Sequence, residues 1–318
     1  MKLFDLHCDT ALALYRTGAS LQNAPCAVSL EKAAAYERYC QLMAVFTDAK
    51  LTNEEGWTQF WAVRENLLNQ CETYGVPVCH DGAELTDTLR FTDSKDVFLL
   101  TVEDVRILDG KIERLEELHR AGVSVITPMW SGNTCIGGSH NTEDGLTDFG
   151  RAVVAECFDR GIAVDVSHAS VRSTDEIFTI AEQKNGKVLA THSNAHAICP
   201  HTRNLTDDQL RRMASLGGIV GVNLYVRFLT DRDTCTAEDV LRHIEYFANI
   251  MGEDHVAFGA DWDGADVPAD LCDISKTATL APMLTEKGYG ETFLDKLYFD
   301  NANNFWESKK PGASQSQK

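Results

Sequence analysis

The chain has 318 residues, 44% of them hydrophobic and 24% charged, an ordinary globular composition that excludes disorder over its whole length. At this size folding buries about 75% of the unfolded surface, so basic stability needs no metal or disulfide. Acidic residues number 48 against 29 basic ones, for a net charge of −19 with no Lys/Arg cluster to offset it, which speaks against a nucleic-acid partner or an anionic membrane surface.

In chain order, eight runs of small, β-branched or apolar residues bounded by turn residues or charges read as buried strands. They are residues 2–9, 40–47, 97–103, 124–130, 163–168, 187–192, 218–224 and 255–261. Between them, residues 57–74, 112–121, 148–160, 171–184, 206–216 and 236–251 carry helical spacing. Thr236 with Asp239 is a weak capping box, and Asp207 and Asp208 sit where a helix dipole favours carboxylates. Gly122, Gly161 and Gly252 each follow a helix and precede a strand, as left-handed C-terminal residues do.

Eight strand-helix units fit a (β/α)8 TIM barrel, which takes about 250 residues. A doubly wound open sheet is the alternative, but no GxGxxG or Walker sequence follows an early strand. No internal repeat or interdomain linker interrupts the pattern, so residues 1–307 are expected to form a single domain and residues 308–318 a flexible C-terminal tail. The start, MKLFDLHCDT, lacks a basic n-region followed by an apolar stretch, and no run of about eighteen apolar residues occurs, so neither export nor membrane anchoring is expected. Ten scattered cysteines without a CxxC pair read as reduced thiols of a cytoplasmic protein.

The polar residues fall at strand ends. Strand one ends His7-Cys8-Asp9, strand three at Glu103, strand five at His168, strand six at His192 and strand eight at Asp261. In a parallel barrel all these ends open on one face, where barrel enzymes place their chemistry. His7 and Asp9, two apart, share one side of a strand while Cys8 points away. His168 and His192 end adjacent strands roughly 4.8 Å apart. With Glu103 these make five N/O ligands, which suit zinc or another borderline divalent ion better than calcium. A carboxylate can bridge two ions, and Glu103 lies in chain order between the two pairs. Two zinc ions bridged by Glu103 would sit about 3.5–4 Å apart with a hydroxide between them as nucleophile. The competing reading pairs the polar strand ends with one another and needs no metal. Of the other histidines, His255, His119 and His243 read as structural or surface residues, while His140 and His201 lie in loops on the active face.

At these residues the sequence resembles the membrane dipeptidase family, peptidase family M19, through FDLHCDT, LLTVEDV, GLTDFGRAVV, VDVSHAS, THSNAHAICPHTRNLTDDQL, GGIVGVNLY, HVAFGADWDGA and the terminal DNANNFW. These segments run in order from residue 4 to residue 306. The resemblance implies His7 and Asp9 as ligands of one zinc, His168 and His192 as ligands of the other and Glu103 as the bridge. It also implies Asp261 as the acid that handles the proton of the bridging water and Arg203 as the group that binds the substrate carboxylate. Asn223, Tyr225 and Trp130 are further substrate-binding candidates. Trp130 stands about where mammalian members carry a histidine that stabilises the tetrahedral intermediate, and an indole N–H cannot become a cation. Loss of such a donor costs about 3 kcal/mol.

The implied activity is hydrolysis of a dipeptide. Its rivals are another metal-dependent amidohydrolase acting on an N-acyl amino acid, β-lactam, lactone or phosphoester, and a catalytically weak peptide-binding barrel. Family members are often dimers, although no heptad or apolar stripe in this sequence demonstrates a homodimer.

Overall fold

A computed structural model describes residues 1–232 and 234–307. Its strands are β1 (Lys2–Cys8), β2 (Arg38–Phe46), β3 (Val78–Cys79), β4 (Asp96–Glu103), β5 (Val123–Thr127), β6 (Ala163–Asp165), β7 (Val188–Ser193), β8 (Val220–Val222) and β9 (Val256–Phe258). All pairings between them are parallel. β1 pairs with β2, β2 with β4, and β4 through β9 pair consecutively. β9 returns to β1 with Phe258 opposite Asp5. That contact closes the eight-stranded (β/α)8 barrel expected from the sequence and excludes the open sheet. The unexpected two-residue β3 pairs with β4 at Phe98 and Leu99, just before β5 takes over that edge at Leu100.

All eight expected strand segments are present, but several stop early. β5 ends at Thr127, β6 at Asp165 and β9 at Phe258, so Trp130, His168 and Asp261 each lie three residues beyond the ladder. His168 and Asp261 have φ of 69° and 66°, which an extended, paired strand cannot accommodate.

Apolar residues divide into two layers. Phe4, Leu6, Leu42, Leu99, Val125, Leu189 and Ala257 fill the barrel interior, joined by Phe299, Ala302, Phe305 and Trp306 from the end of the described chain. The DNANNFW segment therefore packs onto the barrel's interior core through Ala302, Phe305 and Trp306, and the Phe299 ring just before it lies 6.0 Å from Phe4. A larger layer packs between strands and helices. Several helices start where short polar side chains satisfy their first N–H groups. Thr52 and Glu55 form a capping box for Asn53–Tyr74, and Thr206 forms one with Gln209 for Asp207–Ser215. At Ala237–Met251, Asp239 accepts the Thr236 N–H at 3.1 Å, as expected. Gly122 and Gly161 have positive φ (89° and 80°) as expected, whereas Gly252 combines φ 93° with ψ 155° and so lies outside the left-handed helical region. The expected tail, 308–318, lies outside the described residues.

Candidate metal centre

β1 reaches the site through a bulge. Its register with β2 slips between Asp5 and Cys8. Leu6 thereby joins the barrel interior and Cys8 the outer layer, where its Sγ lies 3.4 Å from Met43 Sδ. Simple alternation would put those two residues on one side. Asp5 anchors this stretch: its carboxylate accepts the N–H groups of His7 and Ala260, both at 3.0 Å, and the Gln41 amide at 2.9 Å. Burial, opposed by these hydrogen bonds, pushes its pKa up to about 6.

The five candidate ligands converge at one end of the barrel, all of them buried. Glu103 Oε2 lies 3.5 Å from His7 Nε2, and Oε1 lies 2.9 Å from His168 Nε2 and 3.5 Å from His192 Nε2. The two Glu103 oxygens thus face different histidines, an arrangement compatible with a carboxylate that offers one oxygen to each of two ions. His7 Nε2 also has Asp9 Oδ2 at 3.6 Å and Asp261 Oδ1 at 3.8 Å. Ligand atoms of His7, Glu103 and His192, and of His7, Asp9 and Asp261, fall within 4.8 Å of one another. Gly264 lets its loop approach the carboxylates, because a Cβ there would meet Asp9 Oδ2 at 2.0 Å and Asp261 Oδ1 at 2.7 Å.

Hydrogen-bond accounting shows what these atoms lack. His168 Nδ1 lies 3.1 Å from the carbonyl of Trp130, which only accepts, so Nδ1 carries the proton. His192 Nδ1 lies 2.7 Å from Thr191 Oγ1, whose own proton goes to Asp165 Oδ2 at 2.6 Å, so here too Nδ1 carries it. Burial and the Arg203 charge hold His168 below its ordinary pKa; burial, His7 and Arg203 hold His192 well below. Both rings are therefore neutral, and two Nε2 lone pairs face each other at 2.9 Å. His7 Nε2 and Asp9 Oδ1 are buried without a hydrogen-bond partner among the described residues. Opposed lone pairs and orphaned buried ligand atoms are what divalent cations relieve, so the donor set fits such ions.

Without ions the carboxylates act on the remaining imidazole. Burial opposes a charge on His7, but Glu103 and Asp9 outweigh it and hold the imidazole well above its usual pKa. Burial raises Asp9 to about 7, while the three histidines overcome burial and hold Glu103 well below the carboxylate range.

A cleft of about 200 Å³ opens over this centre, lined by Asp9, Leu12, Phe46, Trp130, His168 and Asp261, with Arg16 among its remaining lining residues. The Trp130 ring meets Phe46 edge-on at 5.2 Å and lies 6.2 Å from His168. Asn223 donates its amide to Asp261 Oδ2 at 3.1 Å, so it orients the proposed acid. Arg203 is buried; its two terminal nitrogens donate to Ser193 Oγ and the His192 carbonyl, both at 3.0 Å, and its Nε has no partner among the described residues. Tyr225 packs edge-on to Phe228 at 4.7 Å and lines a neighbouring depression with Arg227, Asp266 and Pro268 rather than the metal cleft. His140 and His201 lie 6.2 Å apart, with His140 6.0 Å from His168. Sequence reasoning missed Leu12, Arg16 and Phe46, which carry no chemical signature. It also missed Asp5 and Asp165, whose single signal is a carboxylate inside an apolar strand.

A family model for membrane dipeptidases, peptidase family M19, matches residues 1–318. The chain belongs to this family. Its enzyme class is thus that of the M19 metallo-dipeptidases, as the sequence motifs imply. Among M19 relatives of known structure, the dipeptidase AC superposes with a TM-score of 0.89 at 27% identity, covering 98% of this chain and 99% of that one. A Rhodobacter sphaeroides metallopeptidase, liganded with a phosphinate mimic of the dipeptide L-Ala-D-Ala, gives 0.87 at 27% identity over 96% and 99% of the two chains. Dipeptidase aclJ of Aspergillus oryzae is 28% identical over 264 residues, 78% of this chain but 62% of that longer protein. An uncharacterized protein in the pqqA 5′ region of Klebsiella pneumoniae is 38% identical over 223 residues, 65% of this chain and 81% of its own length. No helix among the described residues is long and apolar enough to cross a membrane.

Proposed function

We propose that this M19 protein is a cytoplasmic binuclear zinc dipeptidase that cleaves the peptide bond of free dipeptides. The observation that carries the reading is the division of Glu103, one oxygen toward His7 and the other toward the opposed lone pairs of His168 and His192. His7, Asp9 and Glu103 would hold one ion, and Glu103, His168 and His192 the second. Such ions, when bound, polarise a scissile carbonyl and lower the pKa of water toward ~7, so that it can attack at neutral pH.

The chain's own residues supply the rest. Asp261, held by the Asn223 amide, takes the proton of the attacking water and returns it to the leaving amine. Arg203 carries a buried guanidinium for the substrate's C-terminal carboxylate, a group that guanidinium nitrogens match in pairs. Leu12, Phe46 and Trp130 give one side of the cleft an apolar wall against which a substrate side chain can pack. A zwitterionic dipeptide has no net charge, so the protein's −19 does not repel it. The ten cysteines are all free, in keeping with a reducing compartment.

The test is a substrate panel on protein of measured metal content. Dipeptides with an L- or a D-residue in second place, the latter motivated by the ligand of the Rhodobacter relative, are run beside N-acetyl amino acids and phosphoesters. Dipeptide turnover at least tenfold above the other classes is expected. Preferential hydrolysis of phosphoesters or N-acyl amino acids would reject the dipeptide assignment, and full metal occupancy without turnover of any substrate would make the protein a binder.

A further inference from the structure

We infer that Thr191, held by Asp165, is a positioning residue that fixes the tautomer of His192 and so makes its Nε2 available to a metal ion; this rests on the metal-centre reading above. Asp165 is fully buried at the end of β6 and faces four donors. Oδ1 accepts the N–H groups of Ser167 at 2.8 Å and Thr191 at 2.9 Å, while Oδ2 accepts the hydroxyls of Thr127 at 2.7 Å and Thr191 at 2.6 Å. With every position on the carboxylate facing a donor, Asp165 acts as acceptor only, and the Thr191 hydroxyl spends its single proton there.

The Thr191 oxygen then has only lone pairs to offer its other neighbours. His192 Nδ1, at 2.7 Å, must donate to it. A neutral imidazole has one N–H, so Nε2 is left as a lone pair directed at Glu103 and His168. In the opposite tautomer Nε2–H would point into the ligand cluster and could not bind a cation. The same oxygen lies 3.5 Å from His7 Nδ1, so one hydroxyl stands between imidazoles assigned to the two ions. The carboxylate, hydroxyl and imidazole form a chain that a lone carboxylate-imidazole contact would otherwise supply. Ser167 and Thr191 also precede His168 and His192, so Asp165 pins the backbone beside both second-ion ligands.

The test compares the native protein with Thr191→Val and Thr191→Ser, after removal of ions, in zinc titrations against a chromophoric chelator and in cobalt(II) absorption spectra. Valine keeps the shape and removes the hydroxyl; serine keeps the hydroxyl and removes the methyl. Thr191→Val should weaken at least one titration step by about 10–100-fold and alter the cobalt spectrum, with Thr191→Ser within about threefold of native. Melting of the ion-free proteins checks that the fold is intact, and Thr191→Ala gives the same reading should the valine protein not fold. Native affinity in both steps for Thr191→Val or Thr191→Ala, or a serine variant as weak as valine, overturns the inference while leaving the metal centre standing. A native protein that binds neither zinc nor cobalt overturns the metal centre and the inference together.

Discussion

His168 and Asp261 enter the site in the same way, each three residues past the last residue of its strand and each with a left-handed backbone, at φ of 69° and 66°. A non-glycine residue held there carries about 1–3 kcal/mol of strain, and such strain gathers at functional sites. The turn brings both side chains back over the barrel mouth instead of letting them continue the outward alternation of a strand.

That geometry selects the informative variant of Asp261. Asparagine adopts the left-handed region readily and keeps the side chain's shape, whereas alanine would add backbone strain to the loss of the carboxylate. Asp261→Asn is expected to keep native metal content and melting temperature while kcat falls about 10²–10⁴-fold. Steady-state kinetics on metal-assayed protein checks this, and near-native kcat would remove Asp261 from proton transfer.

Trp130 and Phe46 give the cleft an aromatic wall. Trp130→Ala should lower kcat/KM for dipeptides with a large apolar side chain by about 10–100-fold relative to a glycine-containing dipeptide, the size of effect expected from losing burial of one such side chain. Equal losses on both substrates would assign Trp130 to holding His168 in place, not to substrate contact.

Metal binding should release protons. In the ion-free protein burial disfavours the His7 cation, but Glu103 and Asp9 stabilise it, so His7 is protonated at neutral pH; Asp9, raised by burial to about 7, is then partly protonated. Both must lose those protons to act as ligands. At pH 7 zinc binding is expected to release about one proton or more and to strengthen as pH rises. Calorimetry in buffers of different ionisation enthalpy measures the number, and buffer-independent heats would contradict it.

His243 predicts acid sensitivity away from the metals. It is fully buried on the helix Ala237–Met251, its Nδ1 accepting the Ala195 N–H at 3.1 Å and its Nε2–H donating to the Leu229 carbonyl at 3.0 Å. Burial lowers its pKa from 6.5 to about 4. As pH falls through 6.5 the unfolded chain takes up a proton that the folded chain refuses until about 4, so the stability from this residue is complete above 6.5 and is lost downward across that window. The loss amounts to about 3 kcal/mol by pH 4. Urea unfolding of ion-free native and His243→Asn protein should show their stability difference narrowing from pH 7 to pH 4.5; a constant difference would show that His243 titrates alike in both states.

The sequence alone determined a parallel strand-and-crossover architecture and the candidate ligands. Eight runs of apolar residues spaced by helical segments leave little choice but parallel strands with crossovers, and chemically distinctive residues at their ends pointed to His7, Asp9, Glu103, His168 and His192. Those signals are local, since strand patterns repeat every two residues and imidazoles and carboxylates are rare in apolar runs.

Tertiary structure decided what depends on contact between segments far apart in sequence. The bulge in β1, the early ends of β6 and β9, and the turns at His168 and Asp261 arise where neighbouring strands stop pairing, which no single strand's composition encodes. The roles of Asp5 and Asp165 became visible only when donors from other strands were seen to converge on them. The removal of Tyr225 from the metal cleft and the attachment of Asn223 to Asp261 came from loop packing. A linear pattern shows which side chains can bind an ion or move a proton. Only the closed barrel shows which lone pairs are left without partners.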